Sequence, residues 1–236
     1  MLRLPAAAAR RGLATSSMLY PMTNLQAIKT AEPLRIVSGR GCRVPDSNGK
    51  EYIEGMAGLW CTSLGWGNEE LIEAVDKQMR EPSYYHGFTD RQTPPPEAMA
   101  DALIARAPER LQGGRVFFGM SGSDANDTML RVLWNYNRAR GRPEKTKVLA
   151  RNRGYHGTSV AAGSLTCLPA MHGITGLPLK SLVPRHLTCA SYYREGLVDG
   201  EHPETEAEFV ARCANELEAA IVGSSPAGAH AIAAFI

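Results

Sequence analysis

Val116-Phe117-Phe118-Gly119-Met120-Ser121-Gly122-Ser123-Asp124-Ala125-Asn126-Asp127 decides how this chain reads, together with Gly154-Tyr155-His156-Gly157 about thirty residues later. An apolar, β-prone run meets a small-residue turn, and a helical pattern follows from Thr128 to Arg138. A strand that ends in a Gly/Ser turn and opens a helix aims unpaired backbone N–H groups and hydroxyls at one point. That geometry binds anions, phosphate above all. The same letters also fit a plain N-cap and turn. The aromatic-His-Gly turn after the next strand adds a flat ring. A phosphate cradle with a ring nearby suits a phosphorylated aromatic cofactor.

Outward from this stretch the chain alternates. A strand is expected at 115–118, a helix over 122–140 and a strand at Lys147–Ala150. Helical spacing is predicted for Thr158–Leu165 and for Glu204–Val222, with an extended piece at Leu182–Pro184 and a buried strand at Ala229–Ile236. Such alternation predicts an α/β fold, a mostly parallel sheet with flanking helices. Ligands of such sheets collect at the carboxyl ends of strands, where both motifs sit. Before these come β-prone pieces at Leu34–Val37 and Cys42–Val44, an Asp46-Ser47-Asn48-Gly49 turn and a returning strand at Lys50–Glu54. Asn68 suits the cap of a helix whose apolar positions are Leu71, Ile72, Val75 and Met79. Pro94-Pro95-Pro96 suits the start of another, with Met99, Leu103 and Ile104 inward.

The chain has 236 residues, 44% hydrophobic and 21% charged, with formal net charge +2, enough for a folded core and arguing for neither a nucleic-acid nor a membrane partner. Cys42, Cys61, Cys167, Cys189 and Cys213 show no metal-ligand spacing and read as reduced thiols, so no metal is expected. Residues 1–31 contain Arg3, Arg10, Arg11 and Lys29 but no acid. A basic, Ala/Ser-rich, acid-free leader is the composition of a transit peptide. Residues 1–17 are therefore expected to address the chain to the mitochondrial matrix; the other reading is a tail without an address. The remaining divisions are an N-terminal segment at 18–80 and a larger domain at 81–236.

The run through Ser-Gly-Ser, Gly141-Arg142-Pro143-Glu144-Lys145, Tyr155-His156-Gly157 and Ser164-Leu165-Thr166 resembles the class III pyridoxal-phosphate-dependent aminotransferases, in the branch acting on ω-amino acids and amines. Gly55-Met56-Ala57-Gly58-Leu59-Trp60 resembles that family's entry segment, with Glu54 where many members carry Asp. Met120 stands for an Asn, Asp124 for a Glu and Cys167 for a Gly of the family pattern. His172 and the run Glu201-His202-Pro203-Glu204-Thr205-Glu206 resemble the branch of γ-aminobutyrate and other ω-amino-acid:pyruvate transaminases.

The resemblance implies the fold type I architecture of pyridoxal-phosphate enzymes, here an N-terminal segment and part of the large domain. It implies pyridoxal 5'-phosphate as cofactor, an amino donor of the γ-aminobutyrate or β-alanine type, a keto acid such as pyruvate as acceptor, and a homodimer. Gly122 and Ser123 would carry the phosphate, with Ser121 shaping the turn. Tyr155 would stack on the cofactor ring with His156 beside it, and Trp60 and Phe88 would contact substrate. A turn histidine and core aromatics are the other readings of His156, Trp60 and Phe88. In the family the Schiff-base lysine follows the point reached at Ile236; Lys145, Lys147 and Lys180 precede it. No catalytic residue is therefore assigned, and the expectation is a truncated large domain, inactive alone. A non-catalytic remnant and a different phosphate-binding α/β domain are the rival readings. The second lacks the Walker lysine and the G-x-G-x-x-G fingerprint it would need.

Overall fold

The computed structural model describes residues 18–21, 23–24, 26, 33–173, 175–197, 201, 203–223 and 231–236. The leader at 1–17, His202 and the first two residues of the expected strand at 229–236 lie outside them. The chain divides into two units, Met1–Met99 and Ala100–Ile236.

In the first unit, β1 (Arg43–Pro45) pairs antiparallel with β2 (Glu51–Ile53), Val44 opposite Tyr52. The turn between them is organised by a carboxylate. Asp46 Oδ1 accepts from the N–H groups of Asn48 (2.8 Å) and Lys50 (3.0 Å), and Oδ2 from the Tyr52 hydroxyl (3.1 Å). These bonds let Asp46 sit at 5% exposure, where an unpaired carboxylate would be costly. The piece at Leu34–Val37 forms only an isolated bridge, Ile36 to Asp46.

The next element, α1 (Ala57–Trp60), is one turn of left-handed helix. Ala57, Gly58, Leu59 and Trp60 have φ of 50°, 58°, 60° and 70°. The turn is closed by Trp60 N–H donating to the Met56 carbonyl and Cys61 N–H to that of Ala57, both at 2.8 Å. Left-handed backbone costs an L-residue about 1–2 kcal/mol, so the three non-glycine residues store roughly 3–6 kcal/mol.

Helix α2 (Glu69–Arg80) starts where expected, with Asn68 Oδ1 accepting from Leu71 N–H at 3.1 Å. Glu69 and Glu70 in its first turn and Lys77 and Arg80 in its last complement the helix dipole. Helix α3 (Pro94–Arg106) opens on its three prolines. The expected inward face of α3 is corrected, and the apolar positions of α2 are exposed as well. Leu71, Ile72, Val75 and Met79 are 49–64% exposed, and Met99 and Leu103 are 53% and 41% exposed. Periodicity defines an apolar face but not what covers it.

The second unit is built on a parallel sheet of order β4-β3-β5. Its strands are β3 (Lys147–Arg151), β4 (His186–Leu187) and β5 (Ile232–Phe235). Alternate residues of β3 serve two cores. Val148 and Ala150 pack with Leu130 of α4 (Gly122–Ala139), Leu165 of α5 (Val160–Leu165), and Leu182 and Val183. Leu149 packs with Leu187, Ile232 and Ala220 of α8 (Glu206–Val222). Buried on both faces, a Val or Leu here contributes about 1.5–3 kcal/mol. The short helices α6 (Pro169–His172) and α7 (Tyr192–Glu195) lie in the connections. Thr205 and Glu208 form a reciprocal capping box at the start of α8.

One expected strand is absent. Residues 115–118 join no ladder among the described residues, and Phe117 and Phe118 are 65% and 48% exposed. A β-prone run becomes a strand only when a neighbour takes its hydrogen bonds.

Candidate functional site

The site forms where α4 begins. Ser121, in extended backbone, caps the helix, its Oγ accepting from Asp124 N–H at 3.2 Å. Asp124 turns its carboxylate back onto the N–H of Met120 at 2.9 Å. The N–H groups of Gly122 and Ser123, the first two of the helix, meet no acceptor among the described residues. A Cβ built on Gly122 would meet nothing within 4 Å, so the space before these groups is open. Unpaired N–H groups at the end of a five-turn helix attract an anion, each such charge–dipole contact contributing about 0.3–1 kcal/mol.

The aromatic turn is tied onto this helix start. Thr158 N–H donates to Ser123 Oγ at 3.0 Å, and Asn126 Nδ2 to the His156 carbonyl at 2.6 Å. Asp127 Oδ1 accepts from Ser159 Oγ at 2.8 Å and Ala162 N–H at 3.0 Å, holding the start of α5. Behind the turn, buried Thr166 Oγ1 donates to the Gly157 carbonyl and accepts from His156 N–H. Gly157 has φ of +131°, and a Cβ there would lie 2.9 Å from both Ser123 Cα and Ala162 Cβ. The turn and the helix start touch backbone to backbone, which is why this position is glycine.

Ser121, Gly122, Ser123, Tyr155 and His156 are thus assembled in one place. Ser123 differs in one respect from its expected role. Its oxygen is already an acceptor for Thr158, leaving its hydroxyl proton as the donor to offer. Tyr155 presents a ring 56% exposed. Burial pushes the His156 imidazole below its ordinary 6.5, favouring the neutral ring. Cys167 is accommodated: Arg153 N–H donates to its carbonyl (3.0 Å), its N–H to that of Gly154 (2.9 Å), and its Sγ contacts Asn152 Oδ1 (3.2 Å). Lys145 Nζ donates to the Ile232 carbonyl at 3.0 Å and serves β5. His172 Nε2 contacts the Gly163 carbonyl at 3.1 Å.

Asn126, Asp127, Thr158 and Thr166 were not anticipated as site residues. Asp127 stands four residues after Ser123, hence on the same helix face; that spacing was the available signal. In the first unit, Trp60 and Phe88 are each 78% exposed, so neither packs in a core there. Among the described residues no group of three or more His, Cys, Asp or Glu is arranged to hold a metal, and no helix is long and apolar enough to cross a membrane.

A helix start with open N–H groups, tied to an aromatic turn at the carboxyl end of a parallel strand, marks an α/β protein with a candidate anion site. The chain belongs to the class III aminotransferases, whose family model matches residues 26–236. These enzymes depend on pyridoxal phosphate. Among its relatives, the γ-aminobutyrate transaminase 1, mitochondrial, of Oryza sativa subsp. japonica is 39% identical over 225 residues, 95% of this chain and 42% of that protein. The γ-aminobutyrate transaminase 3, chloroplastic, of Solanum lycopersicum is 40% identical over 226 residues, 96% of this chain and 42% of that one. The structure of the ω-transaminase from Pseudomonas jessenii in complex with PMP superposes with a TM-score of 0.85 at 38% identity, over 99% of this chain and 48% of that one. The chain thus spans under half the length of these relatives.

Proposed function

We propose that this chain supplies the phosphate and ring-face contacts of a pyridoxal-phosphate aminotransferase that moves an amino group from an ω-amino acid or amine, of the γ-aminobutyrate or β-alanine type, to a keto acid such as pyruvate. The carrying observation is the start of α4, with its two unpaired N–H groups and open front. The Gly122 and Ser123 N–H groups and the Ser123 hydroxyl proton would hold the phosphate. The Tyr155 ring would cover one face of the pyridine, and His156 would pack beside it. Asn126, Asp127 and Thr166 keep the ring-bearing turn at a set distance from the phosphate-bearing helix. When bound, the cofactor supplies an electron sink for the pair left as a substrate carbon loses its proton. Trp60 and Phe88 are assigned to substrate contact. A homodimer in the mitochondrial matrix completes the proposal, supported by the acid-free leader and the mitochondrial relative.

Titration of the protein with pyridoxal phosphate, followed by cofactor absorbance, tests the cradle. Ser123→Ala should weaken binding by about 1.5–3 kcal/mol, the loss of one charge-assisted bond. Unchanged affinity overturns the assignment. The address is tested by fusing residues 1–30 to a fluorescent protein: mitochondrial signal is expected, and diffuse signal insensitive to Arg10→Glu and Arg11→Glu refutes it.

A further inference from the structure

The left-handed turn α1 has no intrinsic reason to persist, because side chains of L-residues are crowded at positive φ. Its surroundings hold it. The N–H groups of Cys61 and Thr62 both donate to the Ala57 carbonyl at 2.8 Å. At the start of the turn one carboxylate uses both oxygens: Glu54 Oε1 accepts from Met56 N–H and Oε2 from Gly58 N–H, each at 2.9 Å. Gly58 lies against Thr62 and Trp66, since a Cβ there would lie 3.1 Å from Thr62 Oγ1 and 3.3 Å from Trp66 Cζ2. Leu59 and Trp60 are the exposed side chains, at 65% and 78%.

We propose that Glu54 is a positioning residue for Trp60. Its two-pronged grip on Met56 and Gly58 holds the left-handed turn, and through the turn the direction of the indole. Resting on the reading of Trp60 as a substrate contact, Glu54 thereby sets the discrimination between small and bulky amino donors. Removing one prong lets residues 57–60 relax toward ordinary backbone, and the indole swings with them.

The chain has three tryptophans. Incorporation of 5-fluorotryptophan gives each a fluorine resonance, with Trp60→Phe identifying that of Trp60 and Trp134 serving as the internal control. Glu54→Gln is nearly isosteric but turns an NH2 toward one of the two N–H groups. It should shift or broaden the Trp60 resonance and leave that of Trp134 in place. In a holoenzyme that joins this segment to the family's Schiff-base lysine, the ratio of KM for 1-phenylethylamine to KM for β-alanine should change at least about fivefold, with kcat for β-alanine within about twofold. Glu54→Asp, which keeps the carboxylate, should fall between parent and Glu54→Gln, and is read in the same way if the latter fails to fold. An unmoved Trp60 resonance in both variants overturns the proposal. A moved resonance with a KM ratio that Trp60→Phe itself leaves unchanged refutes the substrate reading of Trp60, while Glu54's hold on the indole stands.

Discussion

Gly157→Ala puts the architecture of the site to its sharpest test. The added methyl would sit inside van der Waals contact of Ser123 Oγ and 2.9 Å from Ser123 Cα and Ala162 Cβ, on a residue at φ +131°. Neither 2.9 Å neighbour can yield by rotating a side chain: one is backbone of α4, the other a methyl fixed on buried Ala162. The Ser123 hydroxyl can rotate, but then Thr158 N–H loses its 3.0 Å acceptor. Backbone strain at such a φ costs about 1–3 kcal/mol, overpacking about 1–3 kcal/mol, and a stranded N–H about 1–3 kcal/mol. These terms share one movement and do not add fully. A loss of about 3–5 kcal/mol is expected, less about 0.4–1 kcal/mol from the stiffer unfolded chain. Urea unfolding should show a lowered midpoint with an unchanged slope, and pyridoxal phosphate affinity should fall in the same variant, because the turn and the cradle cannot separate independently. A variant within about 0.5 kcal/mol of the parent, with cofactor affinity within twofold, would refute the reasoning.

Two further outcomes are expected. Tyr155→Ala should weaken cofactor binding whereas Tyr155→Phe should keep it, since the π-face and not the hydroxyl is used; equal damage by both refutes stacking. His156 and His186 are both held below the ordinary imidazole value of 6.5, above all by burial. The unfolded chain therefore binds these protons more readily than the folded one. Their contribution is present above pH 6.5 and is lost as pH falls toward the folded values. Denaturant titrations across that window should show stability falling with pH and a flatter slope when both histidines become Gln. A rise in stability on acidification would contradict the burial of either ring.

Much of this protein was settled locally, in the sequence. Ser121 before Gly122, Asn68 before α2 and the prolines opening α3 act through bonds or steric limits within one helical turn, so the letters suffice to place them. The Asp46–Gly49 turn is equally local, although its organiser proved to be the Asp46 carboxylate as well as the Asn-Gly pair. The Ser121-Gly122-Ser123 turn and the Gly154-Tyr155-His156-Gly157 turn were legible as separate motifs, and their assignment to one cofactor site came from the resemblance to the family pattern.

Tertiary structure decided the rest. Residues 115–118 have the composition of a strand, but a strand is completed by a neighbour, and none of the described residues pairs with them. The apolar faces of α2 and α3 were visible as periodicity, while their exposure depends on what packs there. The ties from Ser123, Asn126 and Asp127 to the aromatic turn span 30 to 35 residues, and no local pattern signals which donor will meet which acceptor across that distance. Nor does anything in Ala57-Gly58-Leu59-Trp60 call for left-handed backbone, which three of those residues resist. It arises because the Glu54 carboxylate and the Ala57 carbonyl gather the N–H groups of the turn, and together those bonds outweigh the local preference of each residue.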